Sequence, residues 1–501
     1  MLPLVPAPAH LEHGDGPGFP LTGPVRILPP EAAVADGDPV AAALAELTDA
    51  LAAAGASPST AADAPEIVVE VDPEDPLQLL TRDVPPVALT SDAAALEHYR
   101  LTVEAQRIHL LAPAPVGLAR GLTTLLQLVR GATESLPPLR IDDRPRYAWR
   151  GLSVDIARHF FPLPVLKEIV DLCALYKLNA LHLHLTDDQG WRLELTSRPL
   201  LTERSGLTEV GGGESGYLTQ ADWTDLLAHA TARAVTVVPE VDVPGHTHAA
   251  LHAYGELTPT GQAPEPYTGT DVGFSQITVH EPATRPFLSD VFGEVARLTP
   301  GPYLHGGGDE AHVMTREDYL DVVAELGRVV ERTGKMLVVW QEAGVADLPA
   351  GALVQLWASG HDMSPVLDAA RRGHDVILSP GDRIYLDMKY TPEFPLGLDW
   401  AGHVDLEQSW AWDPDHYSDD LDPARIRGVE AALWTETLTT REELFTMLLP
   451  RLGAVADVAW SPQSVRSDGG YAGFTGRMAA QAPLWRSREW AFHPSDGVAW
   501  L

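Results

Sequence analysis

One cysteine in 501 residues excludes any disulfide within the chain. Cys173 lies in an apolar helical stretch, 165–176, with no apparent activating neighbour. It reads as a buried structural thiol rather than a nucleophile. Basic residues are also scarce: 35 Lys and Arg face 70 Asp and Glu, for a net charge of −35. Such a surface repels polyanions, which argues against a nucleic-acid partner; a neutral or cationic one fits better, and the acidic surface itself reads as serving solubility. No apolar run is long enough to cross a bilayer, so no membrane association is expected. Residues 1–18 lack the basic and apolar segments of a secretory leader. A cytoplasmic location is therefore expected, or a secreted one if a leader has been removed. What the chain does have is 45% hydrophobic residues and enough length for two domains, one of them large.

Two patterns divide the chain. Over residues 1–145, stretches 25–28, 66–71 and 98–111 are rich in Val, Ile and Thr and read as strands, while 39–54 and 116–130 have helical apolar spacing. This mix predicts a small α+β accessory domain with no catalytic constellation of its own. The stretch 137–146 carries three prolines and several charges and reads as a boundary. From residue 146 to 501, short apolar strands alternate with helices. The strands are expected at 151–155, 180–185, 235–241, 303–307, 336–340, 353–357, 376–379 and 430–434, with helices at 163–176, 220–232, 285–298 and 316–332 among them. Eight such units predict a closed (β/α)8 TIM barrel, and their near-continuous apolar character fits a parallel sheet buried on both faces. An open doubly wound sheet is the alternative, but no glycine-rich phosphate turn follows the first strand.

A barrel carries its active site at the C-terminal ends of its strands. Those ends deliver, in order, Asp155 and Arg158; Asp187 and Asp188; Asp242 and His246; Asp309 and Glu310; Trp340; Trp357; Tyr385 and Asp387; and Trp434 and Glu436. Carboxylates gathered in one mouth repel, so some must have raised pKa values. Aromatic side chains beside them can pack on the apolar face of a sugar while the carboxylates bind its hydroxyls. With neither a phosphate cradle nor cysteine ligands, the combination points to carbohydrate chemistry.

Several ordered motifs carry a family resemblance. HGGGDE at 305–310, RGLSVDIARHF at 150–160, LNALHLHLTDD at 178–188, PEVDVPGH at 239–246 and WTE at 434–436 together resemble glycoside hydrolase family 20, the β-N-acetylhexosaminidases. The resemblance covers nearly all of 146–501, and the N-terminal unit is more weakly similar to the family's accessory domain.

The resemblance implies a retaining exo-glycosidase acting on a terminal β-linked N-acetylglucosamine or N-acetylgalactosamine of an oligosaccharide or glycoconjugate, without cofactor or metal. Consecutive residues such as Asp309 and Glu310 flank an anomeric carbon with difficulty, which agrees with the substrate-assisted exceptions to two-carboxylate catalysis. The sugar's own acetamido oxygen would attack C1 and form an oxazolinium. Glu310 would be the acid/base, Asp309 would orient the acetamido N–H, and Tyr385 would hydrogen-bond its carbonyl. Arg158, Asp387 and Glu436 would bind sugar hydroxyls. Trp340, Trp357 and Trp434 would wall the pocket, and Trp400 would lie toward the leaving group. Asp187, Asp242 and His246 would form a supporting shell around Glu310.

Blander readings stand beside these. His182 and His184 could begin a metal site, but without an obvious third ligand they read as satisfied buried histidines. Asp155 reads as fixing Arg158 or a loop, and Arg150 as structural. Trp410 and Trp412 could extend the cleft or merely pack. Three alternatives compete: a family member releasing a disaccharide, a metal-dependent barrel hydrolase, and a non-catalytic carbohydrate-binding protein.

Overall fold

A computed structural model describes residues 2–30, 37–72, 88–213, 215–359 and 362–500. Met1, where the leader reading starts, lies outside them.

Eight parallel strands close into a barrel: β1 (Trp149–Asp155), β2 (Ala180–His184), β3 (Thr236–Glu240), β4 (Tyr303–His305), β5 (Met336–Trp340), β6 (Leu353–Leu356), β7 (Asp375–Leu378) and β8 (Ile426–Leu433). Every neighbouring pair is parallel, and β8 returns to β1 with Gly151 opposite Glu430. Nearly every strand residue is buried, as the continuous apolar runs require when helices cover the outer face. Helices Leu163–Leu175, Gln220–Thr231, Thr284–Leu298, Arg316–Thr333 and Ser364–Arg371 fill the connections.

The smaller N-terminal unit is a seven-stranded mixed sheet. Its order is His10–His13, Leu139–Asp143, Tyr99–Val103, Arg107–Ala112, Glu66–Val71, Gly23–Leu28, Ala56–Pro58. Helices Pro39–Ala54 and Pro115–Arg130 pack against each other beside it. Asp38 caps the first of these by accepting the Val40 N–H, and Gly55 ends it in the left-handed region at φ 103°.

Two expectations need correction. The single strand at 98–111 is a hairpin of Tyr99–Val103 and Arg107–Ala112. Its turn closes through reciprocal hydrogen bonds between Glu104 and Arg107. The stretch 137–146 is not a bare linker, because Leu139–Asp143 pairs with strands on both sides despite the prolines that flank it.

Buried charges tie the two units together. Glu97 accepts from Arg120 Nε at 2.7 Å and from Arg150 Nη2 on β1 at 2.5 Å. Asp143 accepts from Lys177 Nζ at 3.0 Å and from the Trp460 indole at 2.9 Å. Arg150 is therefore structural in a specific way: it anchors the N-terminal unit to the first barrel strand. Trp410 and Trp412 are both buried, and Trp410 stacks on Phe474 while its indole donates to Asp457, so they pack the barrel rather than extend the cleft. Among the described residues, no helix is long and apolar enough to cross a membrane.

Candidate active site

The loop after β4 sets the geometry. Gly307 and Gly308 have φ of 68° and 107°, a region that favours glycine, and the turn presents Asp309 and Glu310 at the barrel mouth. A Cβ on Gly307 would lie 1.7 Å from Asp242 Oδ1, so the backbone passes directly over that carboxyl group. Asp242 uses the proximity by accepting the Gly308 N–H at 3.0 Å. Tyr319 Oη donates to the Gly308 carbonyl at 2.5 Å from the outside. Glu310 itself is left-handed at φ 45°, an uncommon state for a residue with a side chain, held here by a fully specified loop.

His246, after β3, faces both members of the pair. Its Nε2 is 3.4 Å from Glu310 Oε2 and 3.8 Å from Asp309 Oδ2, while Nδ1 is 3.1 Å from Asp187 Oδ1. Asp187 Oδ2 also meets Arg158 Nη2 at 2.8 Å. Asp155 fixes Arg158 by accepting its backbone N–H and that of Ala157, and it reaches across to Thr435 on the β8 loop. Arg158 in turn lies over the Trp434 ring at 5.2 Å.

Burial pulls the carboxyl groups apart in pKa. For Glu310, burial alone would raise it, but His246 and then Arg158 outweigh burial and hold it below the ordinary value. Asp242 is pushed well up by burial and by Asp309, and burial raises Asp309 as well. Asp387 is pushed well up by burial and by Glu436, and burial likewise raises Tyr385. Glu342, two residues beyond the end of β5, is raised to about 8 by burial and by Asp309.

Aromatic rings wall the other side. Trp357 stacks parallel to Tyr385 at 6.4 Å, and Trp400 stands edge-on to both at 5.6 Å. Trp434 is 6.2 Å from Tyr385 and 6.0 Å from Trp340. Trp400 is 48% exposed and forms the outer lip, whereas Trp340 is fully buried and donates its indole N–H to Glu240 at 2.8 Å. The Trp357 indole donates to Glu342 at 3.1 Å.

Each side chain expected at the mouth is thus found at the end of its own strand or on the segment that follows it. The Asp309–Glu310–His246–Asp187–Arg158 contacts and the ring contacts join most of them into one cleft. Asp387 and Glu436 join through their mutual repulsion. Glu342, Glu240, His305 and Tyr319 were given no role from sequence. Glu342 follows a strand-end tryptophan by two positions, the one local signal that could have singled it out.

Buried polar atoms without a protein partner mark the cleft's interior. Among the described residues, both carboxyl oxygens of Asp387, Oδ1 of Asp309 and Oδ2 of Asp242 have none. Acceptors of this kind between aromatic walls suit a neutral, hydroxyl-bearing ring. Among the described residues, four groups have the spacing of metal ligands: His182, Glu240 and His305; Asp187, Asp188 and His246; Asp242, His246 and Asp309; and His184, Glu240 and Asp242. In the first two, ion pairs and hydrogen bonds within the protein already engage most ligand atoms. His305 and Glu240 are the neighbours that sequence did not supply for His182.

Comparison with known proteins adds to this. The family model "Glycosyl hydrolase family 20, catalytic domain" matches residues 147–463. The model "Glycosyl hydrolase family 20, domain 2" matches residues 1–144. A β-N-acetylhexosaminidase of Cellulomonas fimi is 45% identical over 99% of this chain and 97% of its own. Among solved structures, Streptomyces plicatus N-acetyl-β-hexosaminidase bound to thio-NAglucal superposes with TM-score 0.90 and 38% identity, over 100% of this chain and 98% of that one. An exo-β-N-acetylglucosaminidase of Vibrio harveyi, with N-acetylglucosamine bound, superposes with TM-score 0.79 and 27% identity over 98% of this chain and 78% of that one.

Proposed function

The chain belongs to glycosyl hydrolase family 20, and from that membership we propose that it releases terminal β-linked N-acetylhexosamine with retention, the substrate supplying its own nucleophile. The observation that carries the mechanism is the crowding of both carboxylates about one imidazole. A two-carboxylate retaining site sets acid and nucleophile about 5–5.5 Å apart on opposite faces of the sugar. Asp309 and Glu310 are consecutive on one turn and both face His246 Nε2, at 3.8 and 3.4 Å. On this reading the acetamido oxygen, not a second carboxylate, attacks C1.

Glu310 protonates the leaving oxygen and then deprotonates the attacking water. Asp309 accepts the acetamido N–H and, as a carboxylate, balances the positive charge of the oxazolinium. Tyr385 donates to the acetamido oxygen. Its strongly raised pKa keeps it a phenol and therefore a donor. Arg158, Asp387 and Glu436 take sugar hydroxyls. Trp357 and Trp434 line the sugar, Trp340 backs Trp434, and Trp400 at the lip meets the leaving group.

The test is hydrolysis of chromogenic N-acetylglucosaminide and plain glucoside by wild type, Glu310→Gln and Asp309→Asn. Only the acetamido sugar should turn over, and each variant should lose kcat by about a hundredfold or more. Comparable turnover of the plain glucoside rules out the substrate-assisted route. Because Glu310 is held ionised in the free protein, kcat/KM should fall as pH rises through its pKa, with that alkaline limb below neutrality.

A further inference from the structure

Beneath the cleft, the barrel interior is not apolar. Starting at the barrel wall, Glu430 on β8 accepts from the Trp149 and Gln355 side chains at 2.6 and 2.9 Å and meets His182 Nδ1 at 2.9 Å. His182 Nε2 lies 3.0 Å from Glu240 Oε2. The same Glu240 oxygen is 2.6 Å from His184 Nδ1. His184 Nε2 is 2.7 Å from Asp187 Oδ2. Asp187 Oδ1 meets His246 Nδ1, and His246 Nε2 reaches Glu310. Carboxylate and imidazole therefore alternate at 2.6 to 3.4 Å from β8 to the acid/base, His182 Nε2 and His246 Nε2 through ion-pair contacts, and all members below Glu310 are buried.

His184 is the link that fixes the rest. Both of its ring nitrogens lie at hydrogen-bond distance from carboxylate oxygens, which can only accept. Each nitrogen must therefore carry a proton, and the ring is an imidazolium. From this geometry, and resting on the role proposed for Glu310, we infer that Glu240 and His184 are positioning residues for the acid/base step: Glu240 keeps a cation on His184, and that cation keeps Asp187, His246 and hence Glu310 in register and in charge balance.

The surroundings agree. Glu240 also accepts the Trp340 indole, and His305 Nδ1 lies 3.0 Å from it. Burial leaves His305 neutral, with its Nδ1 accepting the Gly307 N–H at 3.1 Å. Burial would lower His184, but Glu240 foremost and Asp187 next push it up to about 10, and Glu240 likewise pushes His182 to about 9. Asp187 also faces Arg158 and donates nothing, and Asp188, Asp242 and Asp309 are further carboxyl groups nearby. The His184 ring meets Trp434 edge-on at 5.0 Å, so the column also supports the sugar wall.

The sign of the effect follows from the order of the column. Glu240→Gln removes the anion that holds His184 and His182 protonated. Both imidazoles become neutral, and the lost positive charge nearest Glu310 is that of His184. Glu310 then holds its proton more tightly.

The test is the pH profile of kcat/KM for N-acetylglucosaminide hydrolysis in wild type, Glu240→Gln and Glu240→Asp, together with nitrogen NMR of protein labelled with ¹⁵N-histidine. Glu240→Gln should lower kcat with little change in KM and move the alkaline limb up by about half a pH unit or more. Glu240→Asp, which keeps the charge, should return the limb toward wild type. In the spectra, the His184 and His182 rings should be doubly protonated at neutral pH in wild type and neutral in Glu240→Gln. His184→Asn must move the limb in the same direction, and it serves if Glu240→Gln does not fold. An unmoved limb in folded variants, or a neutral His184 in wild type, overturns the inference. If wild type cleaves no N-acetylhexosaminide, the proposed function fails, while the spectra still decide whether His184 is the clamped cation.

Discussion

Glu342 shows how a single carboxyl group can work against the fold it belongs to. It is buried against Asp309, titrates at about 8 in the folded protein and at its ordinary 4.5 in the unfolded chain. Between those values the folded state holds a proton that the unfolded state has released. Stability therefore declines as pH rises from 4.5 to about 8, and it is fully retained only below 4.5. Glu342→Gln removes this penalty and can still accept from the Trp357 indole. It should stabilise the protein by about 3 kcal/mol at pH 7, taking 1.36 kcal/mol per pH unit, and flatten the dependence of Tm on pH across that window. A Tm that rises no further at pH 8 than at pH 5 counts against the assignment. This residue was not legible in the sequence, because what perturbs it is burial and then Asp309, 33 positions earlier, both supplied only by barrel closure. Glu240 was hidden for the same reason: inside an apolar strand, it looks like any other polar interruption until His182, His184 and His305 surround it. The pair Asp309-Glu310 was legible because three glycines precede it at a strand end, and no core strand needs that much backbone freedom.

At the level of elements, the barrel strands could be read because burial on both faces leaves unbroken apolar runs, and each run ended where chemistry began. The edge strand His10–His13 could not, since it is mostly exposed and lacks apolar alternation. The hairpin at 99–112 was misread because its two strands are apolar and only Glu104, Ala105 and Gln106 separate them. Within the barrel, the turn after β4 is the most constrained element. Gly307→Ala should place a methyl group on Asp242 and strain a left-handed backbone. We expect a loss of about 2 kcal/mol or more in stability and at least a hundredfold in kcat, because the Asp309-Glu310 turn must shift. Thermal melts and steady-state kinetics on the same preparation measure both. A variant with wild-type kcat means that the turn relaxes freely.

For the whole molecule, the two units are joined by charge as well as by apolar contact. Glu97 is held below its ordinary pKa because Arg150 and Arg120 outweigh its burial. Removing it by Glu97→Ala leaves two buried guanidinium groups without their counter-ion, which should cost about 3–5 kcal/mol. Denaturant unfolding should show one transition moved to lower midpoint, with the sheet and barrel still melting together. A variant that unfolds at the wild-type midpoint, or in two separated steps, contradicts this coupling. The same clamp bears on how such proteins can be recombined. Arg150 and Lys177 belong to the barrel, but the anions that neutralise them, Glu97 and Asp143, come from the N-terminal sheet. A barrel transplanted behind an unrelated leading module would carry two bare cations in its interior, so the two units can change hands only as a matched set.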